Sequence, residues 1–211
     1  MICFGLAMVL QQGCQPPGPK ALLAGERLIR EGKYAEAAEK LKAATELLPQ
    51  NAQAWNHLGL ALHGAGRPGE AMRAYQQALA LNRNLAAARF NLGSLLLEQN
   101  LYAEAASEFT TFTALEPNSF QGWVKLGTAQ RHLRKLDDAE KSFFMATRIQ
   151  GQNAECLNGL GLIQMQKKKP QEAFKYFVSA QQKQPGYGPA VLNQAIVAQQ
   201  YFNNKPLALQ K

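Results

Sequence analysis

Residues 52–85 read AQAWNHLGLALHGAGRPGEAMRAYQQALALNRNL, and residues 120–153 read FQGWVKLGTAQRHLRKLDDAEKSFFMATRIQGQN. Laid over one another, they put Trp55, Leu58, Gly59, Ala71, Tyr75 and Ala78 against Trp123, Leu126, Gly127, Ala139, Phe143 and Ala146. The offset is two steps of 34 residues. Carried outward, the step links Gly25, Gly59, Gly93, Gly127 and Gly161, with Ala195 in the sixth place. It also links Ala37, Ala71, Ala105, Ala139 and Ala173, then the large side chains Leu41, Tyr75, Phe109, Phe143 and Phe177. Ala44, Ala78, Phe112, Ala146 and Ala180 complete the register. A fixed period of this size marks stacked repeats, each too small to bury its apolar face alone.

Within each period apolar residues recur at intervals of three and four, as in Leu58 and Leu62 and then Ala71, Tyr75 and Ala78. That is helical spacing, so each unit is predicted to be two short amphipathic helices. Gly32, Gly64 to Pro68, Asn100 and Lys167 to Pro170 mark the turns inside units. Pro49, Asn82, Pro117, Gly151 and Pro185 mark those between them. No segment alternates as a strand. Helix axes that approach within roughly 8 to 10 Å need Gly or Ala where they cross, and the large residue of each unit fills the space beside that crossing. The periodicity alone predicts an all-α solenoid of antiparallel helix pairs.

At these residues the chain resembles the tetratricopeptide repeat family, over residues 18–211. Arg89 and Leu157 stand where Trp is usual. The resemblance implies a right-handed superhelix whose concave face is lined by the first helix of each pair. It places five full repeats near 18–51, 52–85, 86–119, 120–153 and 154–187, with a partial sixth over 188–211. Residues 20–211 form the repeat region, and 1–19 stand apart as a signal-like segment and tether.

Composition limits the function. Of 211 residues, 46% are hydrophobic and 18% charged, a globular balance that excludes intrinsic disorder. The longest apolar run, Ile2 to Leu10, is too short for a mature membrane span, which excludes a polytopic membrane protein. Three cysteines show no disulfide framework and no metal spacing. His57 and His63, six apart, point to different helix faces, and His132 lies in another unit. Gly64, Gly66 and Gly69 match a phosphate-loop pattern, but no strand precedes them and Pro68 opens a helix, so they read as a turn. Cys156 reads as a buried structural thiol, and Asp137 and Asp138 as helix-dipole partners. No catalytic residue, metal site or cofactor is predicted, and the chain is expected not to be an enzyme.

What remains is recognition. In the resembled family, ligand contacts come from first-helix positions six and three before the repeat glycine and one and four after it. Carried over, these are Gln53, Asn56, Leu60 and His63; Ala87, Phe90, Ser94 and Leu97; Gln121, Val124, Thr128 and Arg131; and Glu155, Asn158, Leu162 and Met165. Asn91 joins them as a backbone-gripping asparagine. Amides offer both donor and acceptor to a peptide bond, and apolar side chains offer pockets. The expected partner is therefore an extended peptide or helix of another protein. Only Asn91 and Lys125 fall near the positions of the family's carboxylate clamp, which argues against that specialised mode.

The charge of +8 is uneven: residues 1–118 hold ten basic and ten acidic side chains, residues 119–211 thirteen and five. Arg134, Lys135, Lys167, Lys168 and Lys169 gather at equivalent turns and form a predicted basic rim, suited to an acidic protein, anionic lipid or nucleic acid. Nucleic acid fits least, because no aromatic residues interleave the basic ones.

Both ends carry expectations. Met1 to Leu10, followed by Gly13, Cys14 and the Gln15 to Pro19 stretch, has the outline of a bacterial lipoprotein signal, with Cys14 the candidate for lipidation and the cell envelope the implied location. Gln11, Gln12 and the lack of a preceding Lys or Arg depart from that pattern, and a hydrophobic cap on the first repeat, in a cytoplasmic protein, is the other reading. Pro206 to Leu209 open a second helix of the sixth unit without a polar capping helix beyond it. Either the chain is a piece of a longer repeat protein, a partner covers this end, or the terminus frays.

Overall fold

The computed structural model describes residues 16–201. Met1 to Leu10, Cys14 and Lys205 to Leu209 lie outside the described residues. Contacts divide the chain into two compact units, Met1–Leu81 and Asn82–Lys211. The first holds α1 (Pro17–Arg30), α2 (Tyr34–Leu47), α3 (Ala52–Gly64) and α4 (Pro68–Leu81). The second holds α5 (Ala86–Glu98), α6 (Tyr102–Leu115), α7 (Phe120–His132), α8 (Leu136–Gln150), α9 (Ala154–Gln166), α10 (Pro170–Lys183) and α11 (Gly188–Tyr201). Among the described residues there is no strand, and none of these helices is long and apolar enough to cross a membrane. The fold class is the all-α repeat solenoid that the 34-residue period predicts.

Within each unit, consecutive helices pack as antiparallel pairs, and each second helix also packs on the first helix of the next pair. First helices touch one another as well: α1 with α3 in the first unit, and α5, α7, α9 and α11 in succession in the second. The repeat glycines sit at the crossings. A Cβ on Gly59 would lie 2.6 Å from the Tyr75 ring, and one on Gly93 or Gly127 would lie 3.0 Å from Phe109 or Phe143. Gly25 against Leu41 and Gly161 against Phe177 are tighter still. The facing large residues are almost wholly buried, each contributing about 1.5–3 kcal/mol of apolar burial.

The turns inside pairs follow the same register. Gly32, Gly66, Asn100, Arg134 and Lys168, one per 34-residue step, all have positive φ, between 59° and 74°. Each ends its helix in a Schellman arrangement. The Gly66 amide donates to the His63 carbonyl and the Arg67 amide to the Leu62 carbonyl; the Arg134 amide donates to the Arg131 carbonyl and the Lys135 amide to the Gln130 carbonyl. Composition alone does not reveal that Arg134 and Lys168 occupy a glycine's conformation. The period does.

The turns between pairs are held by one side-chain donor. Trp55 Nε1 donates to the Pro49 carbonyl at 2.9 Å and Trp123 Nε1 to the Pro117 carbonyl at 2.8 Å. Arg89, in the same column, donates through Nε to the Arg83 carbonyl at 3.0 Å, and its guanidinium pairs with Glu108 at 2.7 Å. Leu157 has no donor. There α8 runs to Gln150 and the chain turns through Gly151 at φ 72°. Asn51, Ser119 and Asn153 start α3, α7 and α9 by accepting hydrogen bonds from the Ala54, Gly122 and Glu155 amides.

Candidate interaction surfaces

The fourfold set of ligand-contact positions separates by register. Those three residues before the glycine do not face outward. Asn56, Val124 and Asn158 are buried, at 6%, 3% and 7% exposure. Val124 packs among Phe120, Phe143, Cys156 and Leu160. Asn158 accepts a hydrogen bond from Asn193 Nδ2 of α11 at 2.8 Å. Phe90 is half-buried, its ring centroid 5.8 Å from Phe109 and 5.1 Å from Phe112. For Asn56, Val124 and Asn158 the expectation that they offer amides and a pocket to a ligand is corrected, whereas Phe90 stays half-buried like Leu97. One helical turn before the crossing glycine, a side chain still lies on the stripe that meets neighbouring helices, and packing absorbs it.

The other positions remain accessible. Gln53 and Gln121 are exposed; Leu60, His63, Asn91, Ser94, Leu97, Thr128, Arg131, Leu162 and Met165 are half-buried. In the second unit α5, α7 and α9 lie side by side, so Asn91, Ser94 and Leu97 line one flank of this face and Leu162 and Met165 the other, with Thr128 and Arg131 between. Thr128 Oγ1 donates to its own helix at the Val124 carbonyl. Ser94 Oγ is buried with no hydrogen-bond partner. Arg131 Nη2 lies 2.9 Å from His132 Nε2, and the His132 ring stacks on Tyr102 with centroids 4.2 Å apart. Burial holds the His132 pKa below the ordinary imidazole range, and Arg131 pushes it the same way. Leu162 and Met165 rest against Ala173, Phe177 and Val197.

In the first unit, burial also lowers the His57 pKa, opposed by Glu26, whose Oε1 lies 3.2 Å from Nδ1 without hydrogen-bonding alignment. Cys156 is buried and its thiol is pushed up to about 12, mainly by desolvation, with Glu155 adding to it. A thiol held protonated is no nucleophile at neutral pH. Among the described residues no cluster of three or more His, Cys, Asp or Glu side chains is placed to hold a metal ion.

The basic rim is smaller than its sequence suggests. Lys167 is drawn inward, 2.8 Å from Asp137 Oδ1 and 2.7 Å from Glu140 Oε2. These bonds raise its pKa and lower that of Asp137. Its charge is neutralised by α8. Arg134, Lys135, Lys168 and Lys169 stay exposed.

Sequence reasoning missed a second kind of surface. In the first unit a groove of about 460 Å³ lies between α2 and α4, floored by Trp55, Leu58 and Leu62 and walled by Glu39, Lys42 and Arg73. In the second unit the corresponding groove, about 340 Å³, lies between α6 and α8 over Trp123 and Leu126. The signal for it was the 68-residue equivalence itself, which carries the Trp floor from one unit to the other.

Comparison with known proteins completes the picture. Two models of the tetratricopeptide repeat match residues 22–86 and 62–126. The chain belongs to the tetratricopeptide repeat family. Among curated relatives of this repeat chain is the peroxisomal targeting signal receptor of Kluyveromyces lactis, 28% identical over 111 residues. The match covers 53% of the chain and 19% of the receptor, so the chain spans about a fifth of that relative's length. Among solved structures, a tetratricopeptide repeat protein from Parabacteroides merdae superposes with a TM-score of 0.81 at 18% identity, over 91% of this chain and 76% of that one. YrrB, described as having an unusual peptide-binding site, superposes with a TM-score of 0.65 at 21% identity, over 82% and 89%. At such identities the structures share the fold alone. Membership of this family makes the chain a protein–protein interaction scaffold.

Proposed function

We propose that this scaffold binds an extended peptide segment of a partner protein on the first-helix face of its second unit. The observation that carries the reading is the partly exposed row across α5, α7 and α9, whose helices touch in succession and which holds an amide, apolar side chains, the Arg131 guanidinium and the Ser94 hydroxyl, buried without a hydrogen-bond partner. Such a row supplies donors and acceptors to a peptide backbone and apolar contacts to alternate side chains. The peptide-binding description attached to YrrB, a protein of the same fold, supports the class of ligand. Affinity capture with the wild type beside an Asn91→Ala, Leu97→Ala, Arg131→Ala variant tests it. Each side chain is at most half-buried, and circular dichroism checks that the variant stays folded. Recovery of the same proteins at the same yield by both would refute the face assignment.

A second reading, an envelope-tethered assembly or escort factor, is supported by the Met1 to Leu10 run and the Gly13–Cys14 pair. Membrane fractionation of the wild type beside Cys14→Ser decides it: loss of membrane association in the variant supports lipidation, and identical fractionation removes it.

A further inference from the structure

We propose that the turn edge of the second unit, presented by Arg134, Lys135, Lys168 and Lys169, docks on an anionic lipid bilayer through phosphate headgroups. This goes beyond the peptide-binding reading and uses a different face.

The turns are brought together by direct contacts. Lys167, in the α9–α10 turn, bonds Asp137 at the start of α8 at 2.8 Å. Tyr102, at the start of α6, stacks on His132 at the end of α7. The α5–α6, α7–α8 and α9–α10 turns therefore form one continuous edge. On it the acids are largely engaged: Lys167 closes Asp137 and Glu140, and Asp138 lies 3.6 Å from Lys141. Against the four exposed cations, Glu104 in the first turn of α6 and Glu172 in the first turn of α10 remain unengaged on this edge. None of the four is ion-paired with a carboxylate of its own turn.

Backbone conformation supplies an independent observation. Arg134 and Lys168 sit at φ 62° and 59°, where the equivalent positions of the first unit are Gly32 and Gly66. The turn is built for glycine, and a long side chain there raises the folded state's energy. Strain kept at a surface position points to a use for the side chain. The form of the surface selects the occupant. These cations stand exposed at turn tips on long side chains, and no aromatic residue alternates with them in the sequence to stack a base. The nearby rings of Tyr102 and His132 are stacked on each other. Exposed Leu101, in the column of Lys135 and Lys169, adds an apolar tip to the neighbouring turn. A fluid array of anionic headgroups, which rearranges to meet flexible cations, fits this edge.

The test uses the 1–211 chain carrying Cys14→Ser, so that no lipid anchor contributes, in sedimentation with phosphatidylcholine vesicles and with vesicles containing phosphatidylglycerol. Partitioning onto the anionic vesicles is expected to exceed that onto neutral ones by about tenfold or more and to fall as salt rises. Arg134→Gly with Lys168→Gly is expected to lower anionic partitioning about tenfold while the thermal midpoint holds or rises, since both changes relieve the left-handed strain. Lys135→Arg with Lys169→Arg retains binding. Equal partitioning onto neutral and anionic vesicles, or undiminished binding by the glycine variant, overturns the proposal. So does a wild type that ignores vesicles but binds single-stranded DNA or polyglutamate.

Discussion

At the residue scale, each repeat rests on a glycine and the large side chain seated on it. Gly59→Ala drives a Cβ to within 2.6 Å of the buried Tyr75 ring. It is expected to destabilise the chain by about 1–3 kcal/mol, the usual effect of overpacking a filled core, read as a lower urea midpoint. Gly69→Ala is the matched control: its Cβ would meet nothing within 4 Å, and better helix propensity in α4 makes it neutral or stabilising by up to about 1 kcal/mol. Left-handed positions give the opposite sign. Replacing Lys168 alone by Gly is expected to raise stability by about 1 kcal/mol, because the side chain that opposes φ 59° is gone. Sequence spacing identifies all of these residues. It does not separate the fourfold ligand set into sequestered Asn56, Val124 and Asn158 and the accessible remainder, because that depends on which neighbouring helix covers each position.

At the scale of elements, the helix pairs are joined by a donor that reaches back six residues to a carbonyl. Trp123→Phe removes the indole N–H while keeping an aromatic ring, and is expected to lower stability by about 0.5–1.5 kcal/mol. Trp123→Arg should recover part of that loss, since Arg89 already makes the same bond in its own pair. Thermal unfolding of the three proteins side by side checks this, and equal losses for Phe and Arg would show that ring packing, not the hydrogen bond, holds the turn. In the sequence Arg89 and Leu157 look like equal departures from the Trp column. The structure shows they are not: Arg89 keeps the bond, whereas at Leu157 the preceding helix lengthens and Gly151 makes the turn.

At the scale of the whole molecule, the pH dependence of stability should have a histidine step. Burial is the main cause holding both His57 and His132 below the ordinary imidazole range. With a depressed folded pKa, the unfolded chain binds protons first. Their contribution is therefore complete above the unfolded value of about 6.5 and is lost as pH falls through it. The urea midpoint is expected to drop between about pH 7 and about pH 5.5, and His57→Gln with His132→Gln to flatten that drop. Glu31, Glu70 and Asp137, whose pKa values are lowered chiefly by bonds to Lys33, Arg67 and Lys167, act separately. Their contribution is present above the unfolded carboxylate pKa and fades at more acid pH, as the folded groups take up protons.

The 34-residue register by itself determined the helix pairs, the crossing glycines, the aromatic fillers and the family, because a period is a property of the chain that stacking can only repeat. The uneven placement of the +8 charge is likewise visible in the sequence. Tertiary structure decided which of those side chains remain available. It buried three of the predicted ligand contacts, tied Phe90 to Phe109 and Phe112, and cancelled Lys167 against two carboxylates of α8. It also left Arg134, Lys135, Lys168 and Lys169 exposed along one edge. Accessibility and charge pairing depend on residues up to 35 positions apart, and only the packed helices bring those together.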